Sequence, residues 1–264
     1  MIVPRRKCWI CGVNDAITDE HNFKRSDLIE HVDRPTPEQP LFYHDATGRK
    51  NVRLRGPDNP HLLHRKMMCA PCNNGLTQPH DLAWEKLSRF LARQHDATRF
   101  IAMRQVFGKQ VQAELESLHL FFVKKLGCAI VRARDELADP VPIDLAPLAE
   151  AIRMGTPAPN VFLRLVCDAG DWNGGDNANA VLIENDIAWF EFCYLVGGRG
   201  VQIIFNDGLA WRGMRERWHP RYGAQTLRLV AYDKIERERA RLRTIRPLPV
   251  RARRSREHQS SADR

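Results

Sequence analysis

The stretch 65-RKMMCAPCNNG-75 places two cysteines two residues apart, Cys69 and Cys72, directly before a pair of asparagines. The same cysteine spacing stands near the start of the chain in 8-CWIC-11. A CxxC turn presents two thiolates at an angle suited to one metal ion, and two such turns complete the tetrahedron that zinc prefers. Cys8, Cys11, Cys69 and Cys72 are therefore read as one structural zinc site. The segment between the two pairs is far longer than the roughly 15 to 20 residues of a common zinc ribbon, so something is inserted there. The competing reading, two redox-active thiol couples, lacks the βαβ pattern that surrounds a thioredoxin-like CxxC.

The whole composition agrees with a metal-stapled folded protein. With 264 residues, 43% hydrophobic and 28% charged, the chain has enough apolar material for one domain or two, and two are expected. Seven cysteines in a chain whose opening, MIVPRRKCWICG, has no apolar signal region argue against a complete disulfide framework. Cys128, Cys167 and Cys193 lie in apolar surroundings and read as core. The most apolar later run, 118-LHLFFVKKLGCAIV-131, is interrupted by Lys124 and Lys125, so no membrane span is expected and the compartment predicted is the cytoplasm. A net charge of +9 and a pI near 9.4 favour a polyanionic partner, because each cation set on a phosphate releases condensed counterions.

Residues 1–78 are short, polar and rich in turn signals such as DRPTPEQP and RGPDNP, with little apolar material of their own. A helix is predicted over 79–95, where Leu82, Leu87, Phe90 and Leu91 with Trp84 form an apolar stripe and Asp81 is a candidate N-cap. A longer buried helix follows over Val111–Arg132, then a short one around Leu145–Met154 closed by Gly155. The period then changes. Residues 161–167, 180–185, 188–196, 200–206 and 226–232 are short, β-branched or aromatic runs separated by turn residues, the pattern of an antiparallel sheet. Residues 234–264, dominated by arginine, with Pro247 and Pro249 and a serine-rich end, read as a disordered basic tail. The fold class predicted is α+β: a metal-stapled module over 1–95, a helical connector over 96–139, a β-rich domain over 140–233, and the tail.

Between the cysteine pairs, 18-TDEHNFKRSDL-28 sets Glu20 directly before His21. The combination of 8-CWIC-11, 20-EH-21 and 69-CAPCN-73 resembles the HNH (His-Me finger) endonuclease family in its zinc-stabilised form, over roughly the first 90 residues. The resemblance implies a ββα-metal module, with strands near 17–23 and 62–68 and a helix starting near Cys69, clasping one divalent ion. In that family an asparagine commonly stands five residues before the second CxxC and helps to orient the histidine; here the position is His64, which could orient, join the metal or be an ordinary strand residue. Many relatives carry proline two residues after the histidine, where this chain has Phe23.

The chemistry also stands without the family. Phosphodiester hydrolysis needs an activated water and stabilisation of negative charge on phosphate and leaving oxygen. A neutral histidine accepts the water's proton near pH 7, which assigns His21 the role of general base. A hard ion such as Mg²⁺ takes few oxygen ligands plus waters, and Glu20 with Asn73 would supply such an open site, Asn74 being the competitor of Asn73. Because Cys72 adjoins Asn73 and Cys11 precedes Glu20 by nine positions, one zinc would hold both halves in register. Lys24, Arg25, Arg65 and Lys66 flank the site as phosphate contacts. His80 with Asp81 reads more simply as a helix start than as a metal pair, and Trp84 and 188-AWFEF-192 as packing. The function expected is therefore a metal-dependent endonuclease acting on double-stranded DNA rather than RNA, the rival being a non-catalytic zinc module that binds nucleic acid or protein.

Overall fold

The computed structural model describes residues 6–31, 41–43, 52–54, 56–94, 98–136, 142–167, 174–175, 179–183, 186–206 and 217–244. In chain order these form β1 (Thr18–His21), α1 (Arg25–His31), β2 (Leu41–Tyr43), β3 (Val52–Leu54), β4 (Leu63–Met68) and a π-helical turn (Pro71–Leu76). Then come α2 (Gln78–Ala92), β5 (Phe100–Ala102), α3 (Met103–Phe107), α4 (Val111–Glu136) and α5 (Ala146–Met154). The C-terminal part holds β6 (Val161–Cys167), β7 (Gly174–Gly175), β8 (Asn179–Ile183), β9 (Asp186–Val196), β10 (Arg199–Asn206), β11 (Thr226–Ala231) and α6 (Tyr232–Thr244). The class is mixed α+β, as the periodicities predict.

The β-rich segment builds a seven-stranded sheet in the order β5-β11-β6-β10-β9-β7, with β8 also paired to β9. Gly197 and Gly198, with φ of 60° and 71°, supply the two left-handed residues of the tight turn between β9 and β10. The sheet departs from the expected antiparallel pattern at one place, where β11 pairs with β6 in parallel. That pairing joins strands distant in sequence, and hydrophobic periodicity carries no information about the direction of such a partner.

Alternation along the strands sorts their side chains onto two faces. Leu163 and Leu165 of β6, Tyr194 of β9, Val201 and Ile203 of β10 and Leu229 of β11 join the main core. Val166, Cys193, Leu195 and Val230 face the other way, against Ile235 of α6. That second face also buries Arg164, Glu191 and Gln202, polar groups that demand partners. Partners come mainly from α6: Arg164 Nη1 pairs with Glu238 at 2.7 Å and Arg239 Nε with Glu191 at 2.6 Å. The opening of the expected tail is thus a packed helix, corrected by a stripe of Ile235 and Arg239 at i, i+4; residues 245–264 lie outside the described residues.

Helix α4 is buried on all sides over residues 118–128, with Phe121, Phe122, Val123 and Leu126 in the core, which marks a central helix. Trp84 of α2 stacks on Phe121 with centroids 5.7 Å apart and meets Phe122 and Tyr194 edge-on. All three leftover cysteines are buried, as expected. The expected separation of an N-terminal module from a C-terminal domain does not extend to the core: Cys8, Ile10, Met67 and Met68 share one apolar cluster with α2, α4 and the sheet. The physical reason is that the segments carrying the cysteines bury Cys8, Ile10, Met67 and Met68 in the same cluster as α2 and α4, while only Leu28, Leu54 and Leu62 gather in a small cluster of their own.

Trp9, between the first two cysteines, makes the closest of these contacts. A Cβ at Gly127 of α4 would lie 2.3 Å from the Trp9 ring, so the absence of a side chain there is what lets the indole seat against the helix. Gly127→Leu should expel the ring and lower stability by about 1–3 kcal/mol, the usual cost of overpacking. Urea unfolding of the variant beside the parent checks this.

Candidate metal centre and the adjoining pocket

Two local structures bring the cysteines together. In the first, Cys8 N donates to Asn14 O and Gly12 N to Cys8 O, both at 2.8 Å, curling the chain so that Cys8 and Cys11 point the same way. In the second, Cys69 directly follows β4 and Cys72 lies in the π-helical turn, with Asn73 N donating to Cys69 O at 3.0 Å. The four Sγ atoms lie within 4.8 Å of one another, and Cys11 Sγ and Cys69 Sγ are 3.8 Å apart. A tetrahedron with zinc–sulfur bonds of about 2.3 Å has sulfur–sulfur edges of about 3.8 Å. All four are free thiols. Burial works to raise the Cys11 thiol, but main-chain N–H groups of Asn14 and Val13 outweigh it and bring it down to about 7. The cluster could therefore hold a metal such as zinc, and the donor set fits it.

Next to this cluster, β1 and β4 pair antiparallel, setting Glu20 opposite His64 and His21 opposite Leu63, with an irregular register between Thr18 and Glu20. Lys66, at φ 51°, takes the left-handed conformation in β4, which costs a non-glycine residue on the order of 1–2 kcal/mol. Asp19 holds the irregularity on both sides. Its carboxylate accepts from Lys66 N at 2.9 Å, and its carbonyl accepts from Asn73 Nδ2 at 3.3 Å. Glu20, His21 and Asn73 consequently line one open pocket of about 450 Å³, with Asn74, Lys24, Asp81 and Glu85.

Behind the pocket lining, α4 supplies the partners of two of its carboxylates, Glu20 and Asp81. Lys124 and Lys125 are 1% and 3% exposed, and both reach Glu20 Oε1, at 3.4 Å and 2.6 Å. Lys125 Nζ also donates to the main-chain carbonyl of His21 at 2.5 Å, and Lys124 Nζ donates to both carboxylate oxygens of Asp81, at 2.7 and 2.9 Å. Burial alone would raise the Glu20 carboxyl; the two ammonium charges overcome it and hold the group down at about 2. Burial and the Lys125 charge lower His21 below the ordinary imidazole value. His21 Nε2 is buried without a hydrogen bond, its nearest charged neighbour being Asp58 Oδ1 at 3.6 Å, too long for one.

The remaining predicted residues divide. Arg65 and Lys66 are exposed on β4, available to an anion. Lys24 is instead tied to α2, at 2.9 Å from Glu85 and 3.1 Å from Asp81 O, and Arg25 is paired with Asp58 at 2.9 Å. Each is therefore engaged by a carboxylate rather than free for phosphate, because the start of α1 packs between Glu85 of α2 and Asp58 of the turn before β4. His64 lies opposite Glu20, is 8% exposed and is held down to about 3 by burial and by Arg132 and Lys125; it does not line the pocket. Asp81 is not the expected N-cap, since α2 begins at Gln78 and the Asp81 carboxylate is taken by Lys124. His80 is buried with neither ring nitrogen hydrogen bonded.

Asp27 fixes α1 beside the pocket. Its buried carboxylate accepts from Trp84 Nε1 and Tyr194 OH, both at 2.6 Å, and from Ser88 Oγ at 2.9 Å, while Lys24 N donates to Tyr194 OH. The sequence reading missed Asp19, Asp27, Asp58 and the lysine pair. Only the lysines carried a signal: two charges inside an otherwise apolar helical run must be buried, and buried ammonium groups require carboxylates.

Among the described residues no helix is long and apolar enough to cross a membrane. Compared with family models, curated proteins and solved structures, the chain matches none.

Proposed function

We propose that the protein is a metal-dependent, HNH-type endonuclease that hydrolyses phosphodiester bonds in double-stranded DNA. The observation that carries this reading is the meeting of Glu20, His21 and Asn73 at one pocket beside the four-cysteine cluster. His21 is the group that takes the proton of an attacking water, since its Nε2 has no hydrogen-bond partner to compete for it. Glu20 and Asn73, whose Nδ2 is spent on Asp19, are the residues that would hold a divalent ion. Such an ion would supply charge stabilisation at the phosphate and the leaving oxygen. Lys125 keeps the Glu20–His21 unit in place from beneath, by the carboxylate of one and the carbonyl of the other. Exposed Arg65 and Lys66 and the net charge of +9 support a phosphate backbone as partner.

A non-catalytic metal-stabilised module that binds nucleic acid is the second reading, favoured by the ion pairs that engage Glu20. One experiment separates them. Purified protein with its zinc content measured should nick supercoiled plasmid in millimolar Mg²⁺ or Mn²⁺, stop in EDTA, and resume when Mg²⁺ exceeds the chelator. DNA binding without nicking under any of these conditions leaves the binding module as the function.

A further inference from the structure

We infer that the ammonium of Lys124 is a resident cation, occupying the position between Glu20 and Asp81 where a divalent ion would otherwise bridge the two carboxylates, and that it thereby sets how weakly the pocket takes such ions. Three elements converge on this point: Glu20 comes from β1, Asp81 from α2 and Lys124 from α4. Nζ lies 2.7 and 2.9 Å from the two oxygens of Asp81 and 3.4 Å from Glu20 Oε1, so it is chelated by one carboxylate and shared with the other. A hard divalent ion uses carboxylate oxygens in this same arrangement at about 2.0–2.6 Å. The ammonium fills that geometry with one charge instead of two.

Lys124 has little freedom to leave. It is 1% exposed, its Nζ lies 5.6 Å from the Phe121 ring centroid, and it belongs to the stretch 118–128 of α4 that is buried on all sides. Lys24 lies farther from the Asp81 carboxylate, at 3.9 Å, and pairs with Glu85 at 2.9 Å instead. A metal ion entering beside Glu20 therefore meets a fixed ammonium a few ångströms away, and repulsion between like charges in a partly desolvated site is strong. Lys125 adds a second positive charge on the same Oε1. Removing the Lys124 charge should leave a vacant two-carboxylate site, with Glu20 and Asp81 already in position.

This inference rests on the reading of Glu20 as an ion ligand, but its test does not use cleavage. Mn²⁺ is titrated into zinc-loaded full-length protein at neutral pH by calorimetry and by loss of the free Mn²⁺ electron paramagnetic signal, with Mg²⁺ as competitor. Lys124→Met and Lys124→Gln should each bind Mn²⁺ at least tenfold more tightly than the parent, and adding Asp81→Asn should abolish the gain. Equal affinity in folded variants overturns the inference, as does a gain that survives Asp81→Asn. If a variant folds only when Mn²⁺ is present, the ion has taken the place of the ammonium and the inference stands; if it stays unfolded with millimolar Mn²⁺, the inference falls. A tight new site in a protein that never nicks DNA sinks the nuclease reading alone. An active parent whose variants show no change in Mn²⁺ affinity sinks this inference alone.

Discussion

His21→Ala is expected to slow plasmid nicking by roughly 10² to 10⁴-fold, the usual contribution of a positioned acid or base, while zinc content, thermal unfolding and DNA affinity stay at parental values. The fold should tolerate the change because of how this residue is held. Its Nε2 makes no hydrogen bond that would be lost, and Asp58, 3.6 Å from it, remains paired with Arg25. The bond that anchors the residue runs from Lys125 to its main-chain carbonyl, which alanine keeps. Loss of rate together with loss of thermal stability would mean that His21 acts by packing. A variant that nicks as fast as the parent would remove the base from the proposal, and with it the nuclease reading.

How much of this site was legible in the sequence depends on the range of the interaction that builds it. The cysteine pairs are local, and their chemistry is fixed by spacing, so the cluster was legible residue by residue. Strands β1 and β4 were placed through the resemblance, and α2, α4, α5 and the C-terminal strands through apolar period, because those signals are carried within each segment. Lys124 and Lys125 stood in plain view within 118-LHLFFVKKLGCAIV-131 yet served only as evidence against a membrane span. Their carboxylate partner, Glu20, lies more than a hundred positions away, and no periodicity connects the two. The parallel pairing of β11 with β6 and the burial of Arg239 beneath Glu191 escaped for the same reason. Asp58 lay in a polar turn whose sequence, GPDN, is fully explained by turn chemistry.

The same contacts explain why the four-cysteine cluster and the Glu20–His21–Asn73 pocket adjoin one another. Asn73 follows Cys72 directly, donates its main-chain N–H to Cys69 O, and ties Asp19 by its side chain. Asp19 in turn holds the left-handed Lys66 and so keeps the irregular register that precedes Glu20. Displacing Cys69 would thus be felt at Glu20 through three hydrogen bonds and one strained residue. The pocket's geometry is downstream of the cluster's.

Cys69→Ala tests that dependence and is expected to have the largest effect of all. Three thiolates cannot close a structural site, so zinc measured by elemental analysis should fall from one per chain to a small fraction of that. Binding of a structural zinc is worth about 10–16 kcal/mol in small zinc modules, comparable with the whole stability of a typical domain. The damage should not stay local: Cys8, Ile10, Met67 and Met68 belong to the same apolar cluster as Leu87, Phe121 and Tyr194, so releasing them uncovers α2 and α4. Thermal unfolding should shift downward by many degrees, limited proteolysis should cut within residues 6–75, and nicking should vanish together with structure, unlike the His21 variant, which loses only rate. Chelation of the parent by a strong zinc ligand should reproduce the same pattern. A Cys69→Ala protein that keeps its protease resistance and melting temperature would show that the N-terminal segments are held by packing on α4 alone, and the four thiols would then lose their role as scaffold.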